Sequence, residues 1–289
     1  MEKSEINLDK TNINWFPGHM TKAKRQMEEA LKGADMVIEL RDARIPLASA
    51  NPLLDQLIQQ KPRIIILTKT DKADDRVTEM WIKKLTEKYH TVLSLDVTKD
   101  NLINPISKAC LAAMKEKRDK QKARGINPRA VRAMVVGIPN VGKSTLINRL
   151  AKRKATKVAN QPGVTRSITV ITINKDLQLL DTPGVLWPKF DDQKTAYYLA
   201  VIGSINDNVL NLEDVAGFAL DILRDRYPHS TIERYGVDLS ALNNEEALKK
   251  IAESRNYVLN GEYDKERAIN ALLNDLRNDK MGKISWEYE

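Results

Sequence analysis

The sequence predicts an α/β fold, in which a mostly parallel β-sheet with helices on both faces is followed by a small all-helical domain. Three observations support this prediction. Short, nearly continuous apolar runs alternate with helical patterns over the first two-thirds of the chain, as expected for parallel strands buried on both faces. A phosphate-binding loop pattern joins one such run to the next helical pattern. After Lys194 the strand signals disappear and helical periodicity dominates.

The predicted strands are short runs rich in β-branched and other apolar residues. In chain order they are Met36–Leu40, Arg63–Leu67, Val92–Leu95, Ala133–Val136, Ile168–Ile173 and Leu177–Leu180. Ile168–Ile173 alternates apolar residues with threonine, which predicts an edge strand with one solvent-exposed face. Helical periodicity between the strands predicts helices at Lys22–Lys32, Pro52–Gln59, Val77–Tyr89, Leu102–Arg124 and Lys143–Lys152.

The C-terminal third is predicted to form amphipathic helices. In the first of them one helical face carries the apolar residues Leu212, Val215, Ala219, Ile222 and Leu223. Tyr227-Pro228 ends that helix, because proline cannot continue it. Two further helices are predicted around Glu245–Val258 and Lys265–Asn278. We therefore expect a first domain over residues 1–195 and a helical domain over residues 196–289, with the boundary near residues 190–205.

Composition bounds the class of protein. The net charge of +8 over 289 residues indicates either a polyanionic partner such as nucleic acid or a generic basic surface. The single cysteine, Cys110, excludes a disulfide within the chain and lies in an apolar stretch, which predicts a small core residue. No signal-peptide pattern begins the sequence, and no apolar run approaches the ~20 residues that span a bilayer. We expect a cytoplasmic protein without a membrane partner.

Positive charge is concentrated in two segments. The first is Lys115–Arg132, where eight basic side chains oppose Glu116 and Asp119, and the second is Lys152-Arg153-Lys154 with Lys157. Such runs either contact nucleic-acid phosphates or form solvated helix faces, and the sequence leaves both interpretations open.

The strongest motif is the nine-residue segment from Gly137 to Thr145, which matches the phosphate-binding loop at every fixed position. Its glycines allow backbone N–H groups to surround phosphates, and the following helix N-terminus adds its dipole. The predicted nucleotide-contacting residues are Asn140, Val141, Gly142, Lys143, Ser144 and Thr145. Lys143 is expected to reach the terminal phosphates, and the Ser144 hydroxyl to bind magnesium.

Two further segments predict the γ-phosphate switch. Asp181-Thr182-Pro183-Gly184 follows the strand Leu177–Leu180, so that Asp181 can hold magnesium while the Gly184 N–H senses the γ-phosphate. Thr165 lies in the loop between this motif and the phosphate-binding loop. It is therefore the candidate threonine that closes on magnesium in the GTP state.

Guanine recognition is predicted at Thr68-Lys69-Thr70-Asp71, which follows the strand Arg63–Leu67 and resembles the Asn-Lys-x-Asp motif. A carboxylate at Asp71 can accept two hydrogen bonds from guanine, whereas adenine lacks that donor pair. The Lys69 stem can stack on the purine, and Thr68 replaces the usual asparagine. Asp96 and Val97, after the next strand, are expected to cover the other face of the base.

The order of the motifs is unusual, because the guanine motif precedes the phosphate-binding loop. A fold can be cut at a surface loop and rejoined elsewhere without losing its core. The sequence therefore predicts a circularly permuted GTPase domain, with the basic helix around Lys115–Arg124 as the connector.

A resemblance to a known family rests on four segments. They are Asn14-Trp15-Phe16-Pro17-Gly18-His19-Met20, Asp42-Ala43-Arg44-Ile45-Pro46, the loop from Gly137 to Thr145, and Asp181-Thr182-Pro183-Gly184-Val185-Leu186-Trp187-Pro188. Together they resemble the circularly permuted GTPases of the YlqF/RbgA type over nearly the whole chain. That resemblance implies a role in late maturation of the large ribosomal subunit, GTP hydrolysis stimulated by the particle, and a C-terminal RNA-binding domain similar to the ANTAR fold.

The residue that orients the attacking water does not follow from the usual motif. Many GTPases place glutamine directly after Asp-x-x-Gly, but Val185 occupies that position here. His19 is the candidate catalytic residue, since imidazole can orient a water molecule at neutral pH and the resemblance implies the same role. A turn histidine that contacts RNA or caps a helix is the structural alternative. The resemblance also implies that Asn140 helps to bind potassium.

Two functions remain open at this point. One is an RNA-associated GTPase that docks on the large ribosomal subunit, and the other is a GTP-dependent switch that recruits a protein partner without RNA. Binding that weakens as salt rises would favour RNA. We expect a monomer.

Overall fold

The computed structural model describes residues 25, 27–58, 61–89, 91–99, 101–151, 169–181 and 192–288. These residues divide into two compact units. The first, here called the sheet unit, contains the described residues up to 181 together with residues 287–288. The second, the helical unit, contains residues 192–286.

The sheet unit is built on a mixed sheet with strand order β3-β2-β1-β4-β6-β5. Its strands are β1 (Met36–Asp42), β2 (Arg63–Thr68), β3 (Val92–Ser94), β4 (Val131–Gly137), β5 (Thr169–Asn174) and β6 (Leu177–Asp181). Neighbouring strands run parallel except β5 and β6, which are antiparallel. All six predicted strands are confirmed. β5 is an edge strand, as predicted, with Val170 exposed beside buried Ile171.

The helices of the sheet unit follow the predicted order. They are α1 (residues 27–33), α2 (Pro52–Ile58), α3 (Asp75–Tyr89), α4 (Ile103–Ala113), α5 (Lys115–Ala123) and α6 (Lys143–Leu150). α1 and α2 pack on β1, β4 and β6 through one apolar cluster, and α3 packs on β2 through another. α4 contacts β2 and β4, and α6 contacts β4. Every residue of β1 is buried, which agrees with a central strand covered on both faces.

The helical stretch predicted over Leu102–Arg124 is divided into two helices in the structure. The chain bends at Met114, whose φ and ψ are −101° and 4°. The reason is a change in pattern: α4 buries Ile106, Ala109 and Cys110, whereas α5 buries no residue. Met114 is buried at the bend, and the chain turns there from the apolar α4 to the mostly charged α5, which buries no residue.

The helical unit contains α7 (Gln193–Val201), a short 3-10 turn (Asp207–Val209), α8 (Leu212–Arg226), α9 (Pro228–Tyr235), α10 (Asn244–Ser254) and α11 (Lys265–Arg277). α8 ends directly before Tyr227-Pro228, as predicted, and Pro228 begins the next helix. Val215, Ala219 and Leu223 are buried on the predicted face of α8.

One element of the helical unit differs from the prediction of helices alone. α10 ends at Ser254, and residues up to Tyr263 form a hairpin of β7 (Val258–Leu259) and β8 (Glu262–Tyr263). Asn260 and Gly261 at its turn have φ of 53° and 84°. Asn-Gly is the preferred pair for such a turn, so the signal was present in the sequence. In the described part of the chain, no helix combines the length and apolarity that crossing a membrane requires.

Candidate nucleotide-binding site

The predicted nucleotide motifs follow the carboxyl ends of parallel strands. β2 leads into Thr68–Asp71, β4 into the phosphate-binding loop, and β6 ends at Asp181. The strand register pairs Asp42 with Thr68, Leu40 with Gly137, and Val135 with Asp181, so these loops leave the same edge of the sheet. Ligands of open α/β sheets bind at this edge.

The phosphate-binding loop has the backbone that the motif requires. Gly142 is the N-cap of α6 with a φ of 101°, a conformation that side chains disfavour, and Asn140 has a φ of 59°. At Gly137 an added Cβ would lie 2.8 Å from Val141 Cγ1 and 3.0 Å from the Leu40 carbonyl oxygen. Glycine is therefore needed at Gly137 for close approach and at Gly142 for its dihedral angle. The loop presents the N-terminus of α6, where backbone N–H groups favour anions.

Lys143 and Asp181 form a buried ion pair at the base of this loop, with Nζ 2.7 Å from Oδ1. The second carboxylate oxygen of Asp181 is buried and has no hydrogen-bond partner among the residues that the structure describes. A buried carboxylate oxygen without a partner is costly unless a ligand or cation completes it. An oxygen-binding divalent cation would satisfy it, so the residues present fit a magnesium ion at Asp181.

Thr68 connects the guanine motif to the phosphate-binding loop. Its side chain is fully buried, and its hydroxyl donates to the Val141 carbonyl at 2.6 Å. The Arg41 carbonyl oxygen lies 3.2 Å from the same hydroxyl. The side chain therefore ties the ends of β1 and β2 to the phosphate-binding loop. In this structure Thr68 contacts protein backbone on both sides, which is a role that the comparison with asparagine did not predict.

Lys69 lies in an ion-pair network with the loop that follows β1. Its Nζ is 3.1 Å from Asp42 Oδ2, and Asp42 also accepts hydrogen bonds from the backbone and guanidinium of Arg44. Burial alone would raise the pKa of Asp42, but the charges of Arg44 and Lys69 and the Arg44 hydrogen bonds hold that pKa far below its ordinary value. Burial lowers the pKa of Lys69, while Asp42 opposes that shift.

The other predicted base-contacting residues differ in their surroundings. Asp71 is partly exposed, and its carboxylate has no ion pair or hydrogen bond with any described residue. Asp96 accepts hydrogen bonds from the Thr98 backbone N–H at 2.9 Å and hydroxyl at 2.6 Å. Val97 is buried, with Cγ2 3.8 Å from the position that a Cβ on Gly142 would take. Val97 thus lies beside the phosphate-binding loop.

Ser144 and Thr145, both partly buried, occupy the first turn of α6 behind Lys143, and Thr70 is partly buried between Lys69 and Asp71. His19, Thr165 and Gly184 lie outside the described residues.

Sequence reasoning gave no role to Asp42, Arg44, Ser49 or Glu287. Asp42 is the last residue of β1, and Arg44 and Ser49 lie in the loop that follows it. β1 lies between β2 and β4, so the central position of this strand in the sheet was the available signal. Glu287 contacts the same loop from the end of the chain, and no local pattern marks it.

The sheet order and its strand-end loops define the class of protein. A phosphate-binding loop opens α6 after β4, a buried aspartate ends the neighbouring strand, and a guanine-type motif follows a strand that comes earlier in the chain. This is the arrangement of an α/β P-loop GTPase whose motif order is circularly permuted.

The chain is similar to several known proteins. Residues 132–260 match the family described as 50S ribosome-binding GTPase. Ribosome biogenesis GTPase A of Bacillus cereus is 47% identical over 278 residues, covering 95% of this chain and 93% of the relative. Mitochondrial ribosome-associated GTPase 1 of Mus musculus is 35% identical over 247 residues, covering 82% and 75%. GNP-bound YlqF from T. maritima has a TM-score of 0.64 at 25% identity, covering 92% and 97%.

The chain belongs to the ribosome biogenesis GTPase A family. It is a GTPase. The family match begins in β4, so β1, β2 and β3 with the guanine-type motif lie before it in the chain.

Proposed function

We propose that this protein is a guanine-nucleotide switch that binds the precursor of the large ribosomal subunit and acts late in its assembly. It hydrolyses GTP to GDP and phosphate. The observation that carries the proposal is the convergence of the phosphate-binding loop, the Lys143–Asp181 pair and the Lys69–Asp71 segment on one edge of the sheet. The names of the relatives, which assign them to ribosome biogenesis or to ribosomes, support the choice of partner.

In this proposal the nucleotide enters along that edge. The N–H groups of residues 140–145 hold the phosphates, and Lys143 moves from Asp181 to the terminal phosphates. Asp71 accepts the two guanine N–H donors, which its freedom from described partners supports. The Lys69 stem stacks on the base, with Asp96 and Val97 on the other side.

Magnesium, when bound, neutralises charge on the phosphates. Asp181, Ser144 and Thr165 are the residues proposed to hold it. The buried oxygen of Asp181, which lacks a partner within the described ranges, supports that set. Asn140 is proposed to help bind potassium, which would supplement the same charge stabilisation. The Gly184 N–H reads the γ-phosphate, and His19 orients the attacking water.

Ribosomal RNA is the proposed contact of the helical domain, residues 196–289, and of α5. No residue of α5 is buried, and five of its nine residues are basic against two that are acidic. Lys115, Lys122 and Arg124 are exposed and have no ion pair within the described residues. Exposed cations of this kind suit a phosphate backbone. We also propose a cytoplasmic location and a monomeric protein.

A GTP-dependent switch that recruits a protein partner without RNA is the second candidate. The cations of α5 that have no ion pair with a described residue favour the first proposal, because such cations can bind RNA phosphates. Binding that weakens steeply as salt rises would support RNA over a protein partner.

The deciding experiment measures GTP hydrolysis in potassium and in sodium buffer, with and without purified large ribosomal subunits. We expect a slow basal rate that subunits raise strongly in potassium. Lys143→Ala should weaken nucleotide binding by about 100-fold or more, and His19→Ala should preserve binding but lower turnover. Lys83→Ala, an exposed lysine on α3, is the control that should match wild type. A rate indifferent to subunits would favour the protein-partner alternative, and normal turnover of His19→Ala would exclude its catalytic role.

A further inference from the structure

We infer that Glu287, at the C-terminal end of the chain, is a positioning residue for the guanine side of the nucleotide site. It acts by holding the loop of residues 43–50, here called the β1 loop, whose preceding residue Asp42 fixes Lys69. This inference rests on the proposed role of Lys69 in binding the base.

The inference depends first on the contact between the Glu287 carboxylate and the β1 loop. It accepts hydrogen bonds from the backbone N–H groups of Leu47, at 2.5 Å, and Ala48, at 3.0 Å. Glu287 is buried, with 8% of its surface exposed. Hydrogen bonds from N–H donors to a buried carboxylate are shorter and stronger than those between neutral groups. The two amides of the β1 loop are therefore held by a charge that comes from another part of the chain.

The β1 loop passes this constraint to Asp42. The Ser49 hydroxyl donates to the Ile45 carbonyl at 2.6 Å and accepts from the Asp42 backbone N–H at 3.0 Å. Ser49 directly follows the amides that Glu287 holds. A shift of that turn therefore disturbs the hydrogen bond that fixes the end of β1.

Asp42 in turn sets the position of Lys69. Its carboxylate is completely buried, and it holds the Lys69 ammonium at 3.1 Å. Lys69 has a φ of 56°, an uncommon conformation for a residue with a side chain. A strained residue keeps one geometry only when its surroundings determine it. The Asp42 contact is one such constraint, and through the β1 loop it depends on Glu287.

Residues 287–288, here called the tail, are themselves held by several contacts. Trp81 Nε1 donates to the Glu287 carbonyl at 3.1 Å, and the Glu287 N–H donates to the Arg44 carbonyl at 3.3 Å. Trp81 is 1% exposed, and Tyr288 packs against its apolar cluster on α3. The carboxylate is therefore presented from a rigid base, as a positioning residue requires.

The inference predicts a change in KM without a matching change in kcat. Glu287→Gln keeps the shape of the side chain but removes its charge. Its amide N–H₂ would also face one of the two backbone N–H donors, Leu47 or Ala48, which it cannot accept from. We expect the KM for GTP to rise about tenfold, the effect of losing one charge-assisted hydrogen bond. The kcat should stay within about twofold, because the Glu287 carboxylate accepts from the amides of Leu47 and Ala48 in the β1 loop, which belong to neither the phosphate-binding loop nor β6. Amide hydrogen exchange of the β1 loop should accelerate.

The matched control is Glu79→Gln, an exposed glutamate on α3 that should leave KM and exchange unchanged. A double-mutant cycle with Lys69→Met tests the route of the effect. If Glu287 acts through Lys69, the two changes in KM are less than additive, whereas a general loss of stability makes them additive. Additive changes, or a KM within about twofold of wild type, would overturn the inference.

Tyr288→Ala provides a second variant if Glu287→Gln does not fold. It loosens the tail while retaining the carboxylate, so the same rise in KM is expected at smaller size, and an unchanged KM would overturn the inference. The proposed function fails separately. It fails if wild type does not bind GTP, or if Lys69→Met leaves the KM unchanged. If wild type binds GTP and Lys69→Met raises the KM, but Glu287→Gln has no effect, only the positioning role of Glu287 is rejected.

Discussion

Thr68 illustrates how one hydroxyl can connect three strands. It lies at the end of β2, donates to the Val141 carbonyl and lies near the Arg41 carbonyl at the end of β1. The carbonyl of Val141 belongs to the phosphate-binding loop after β4. Threonine is short enough to reach this carbonyl while remaining fully buried. Its hydroxyl therefore stabilises the join between the guanine motif and the phosphate-binding loop.

Replacement of Thr68 by valine tests this role, because valine has the same shape without the hydroxyl. We expect the free energy of unfolding to fall by about 1–3 kcal/mol, since the Val141 carbonyl would lose its donor in a buried site. Denaturant unfolding measures the change. Thr68→Ser, which retains the hydroxyl, should lose less than the valine variant. A valine variant as stable as wild type would show that this hydrogen bond contributes nothing.

Asp71 makes a separate prediction about the base. Asp71→Asn replaces the carboxylate with an amide. The amide N–H₂ then faces an N–H donor of guanine, which is unfavourable, whereas in xanthine it can donate to a carbonyl oxygen at the same position. We expect GTP affinity to fall and xanthosine triphosphate affinity to rise, by about 100-fold in the ratio of the two dissociation constants. Fluorescent nucleotide titration measures both values. An unchanged preference for GTP would exclude Asp71 as the base-reading residue.

The elements show which features local sequence determines. Apolar runs predicted all six strands of the sheet, because buried parallel strands need residues that suit both faces. The bend at Met114 was missed, since helical propensity continues across it while the burial pattern stops. The hairpin of β7 and β8 was missed because each strand is only two residues long, although its Asn-Gly turn was visible.

In the helical unit, α9 and α11 are joined through Asp275. Its carboxylate accepts hydrogen bonds from Arg234 Nε at 2.6 Å and from the Tyr235 hydroxyl at 2.9 Å. Burial alone would raise the pKa of Asp275, but the hydrogen bonds from Arg234 and Tyr235 lower it below its ordinary value. Burial and the same hydrogen bond also raise the pKa of Tyr235.

This network predicts a stability that depends on pH. Because the folded pKa of Asp275 is depressed, its contribution is present above the unfolded pKa of about 3.9 and is lost as the pH falls toward the folded value. Asp275→Asn should therefore lower the unfolding free energy by about 1–3 kcal/mol at pH 7 and by less at pH 3. Chemical denaturation at both pH values measures the difference. The exposed Glu262→Gln serves as control, and a cost independent of pH would contradict the ionic role.

At the scale of the whole molecule, the net charge is +8, and only some of the basic side chains form ion pairs with acidic ones. In the sheet unit, Lys117 of α5 and Arg129, which lies between α5 and β4, both pair with Asp35 at 3.2 Å. Arg118 of α5 pairs with Asp176 at 3.6 Å. These pairs bring α5 and its exposed cations to the amino ends of β1 and β6, away from the nucleotide edge. RNA contact and nucleotide contact can therefore occur on opposite edges of the same sheet.

Charge reversal tests α5 as an RNA contact. The combined change of Lys115, Lys122 and Arg124 to glutamate should weaken binding to the large subunit and reduce its salt slope by about one for each lost phosphate contact. Binding measured over a range of potassium chloride concentrations gives that slope. The control changes Lys83, Lys84 and Lys88 on α3 to glutamate, which alters the net charge equally. An equal loss in both triple variants would indicate a general charge effect.

The sequence predicted those parts of the candidate site that directly follow a strand. The phosphate-binding loop, Asp181 and the Lys69 segment each follow a recognisable apolar run, so their convergence follows from a parallel sheet. The contact between Glu287 and Ala48 joins residues 239 positions apart. No periodicity or motif encodes such a contact, because it depends on where the chain returns after the helical unit.

Cys110 has a practical consequence. It is the only cysteine of the sequence, it is completely buried, and burial raises its pKa to about 12. At neutral pH the buried thiol is therefore protonated and unreactive. A cysteine introduced on the surface would therefore react with maleimide dyes almost exclusively. Pairs of such labels, one in each unit, would let fluorescence energy transfer test whether nucleotide changes the distance between them, without first removing a native thiol.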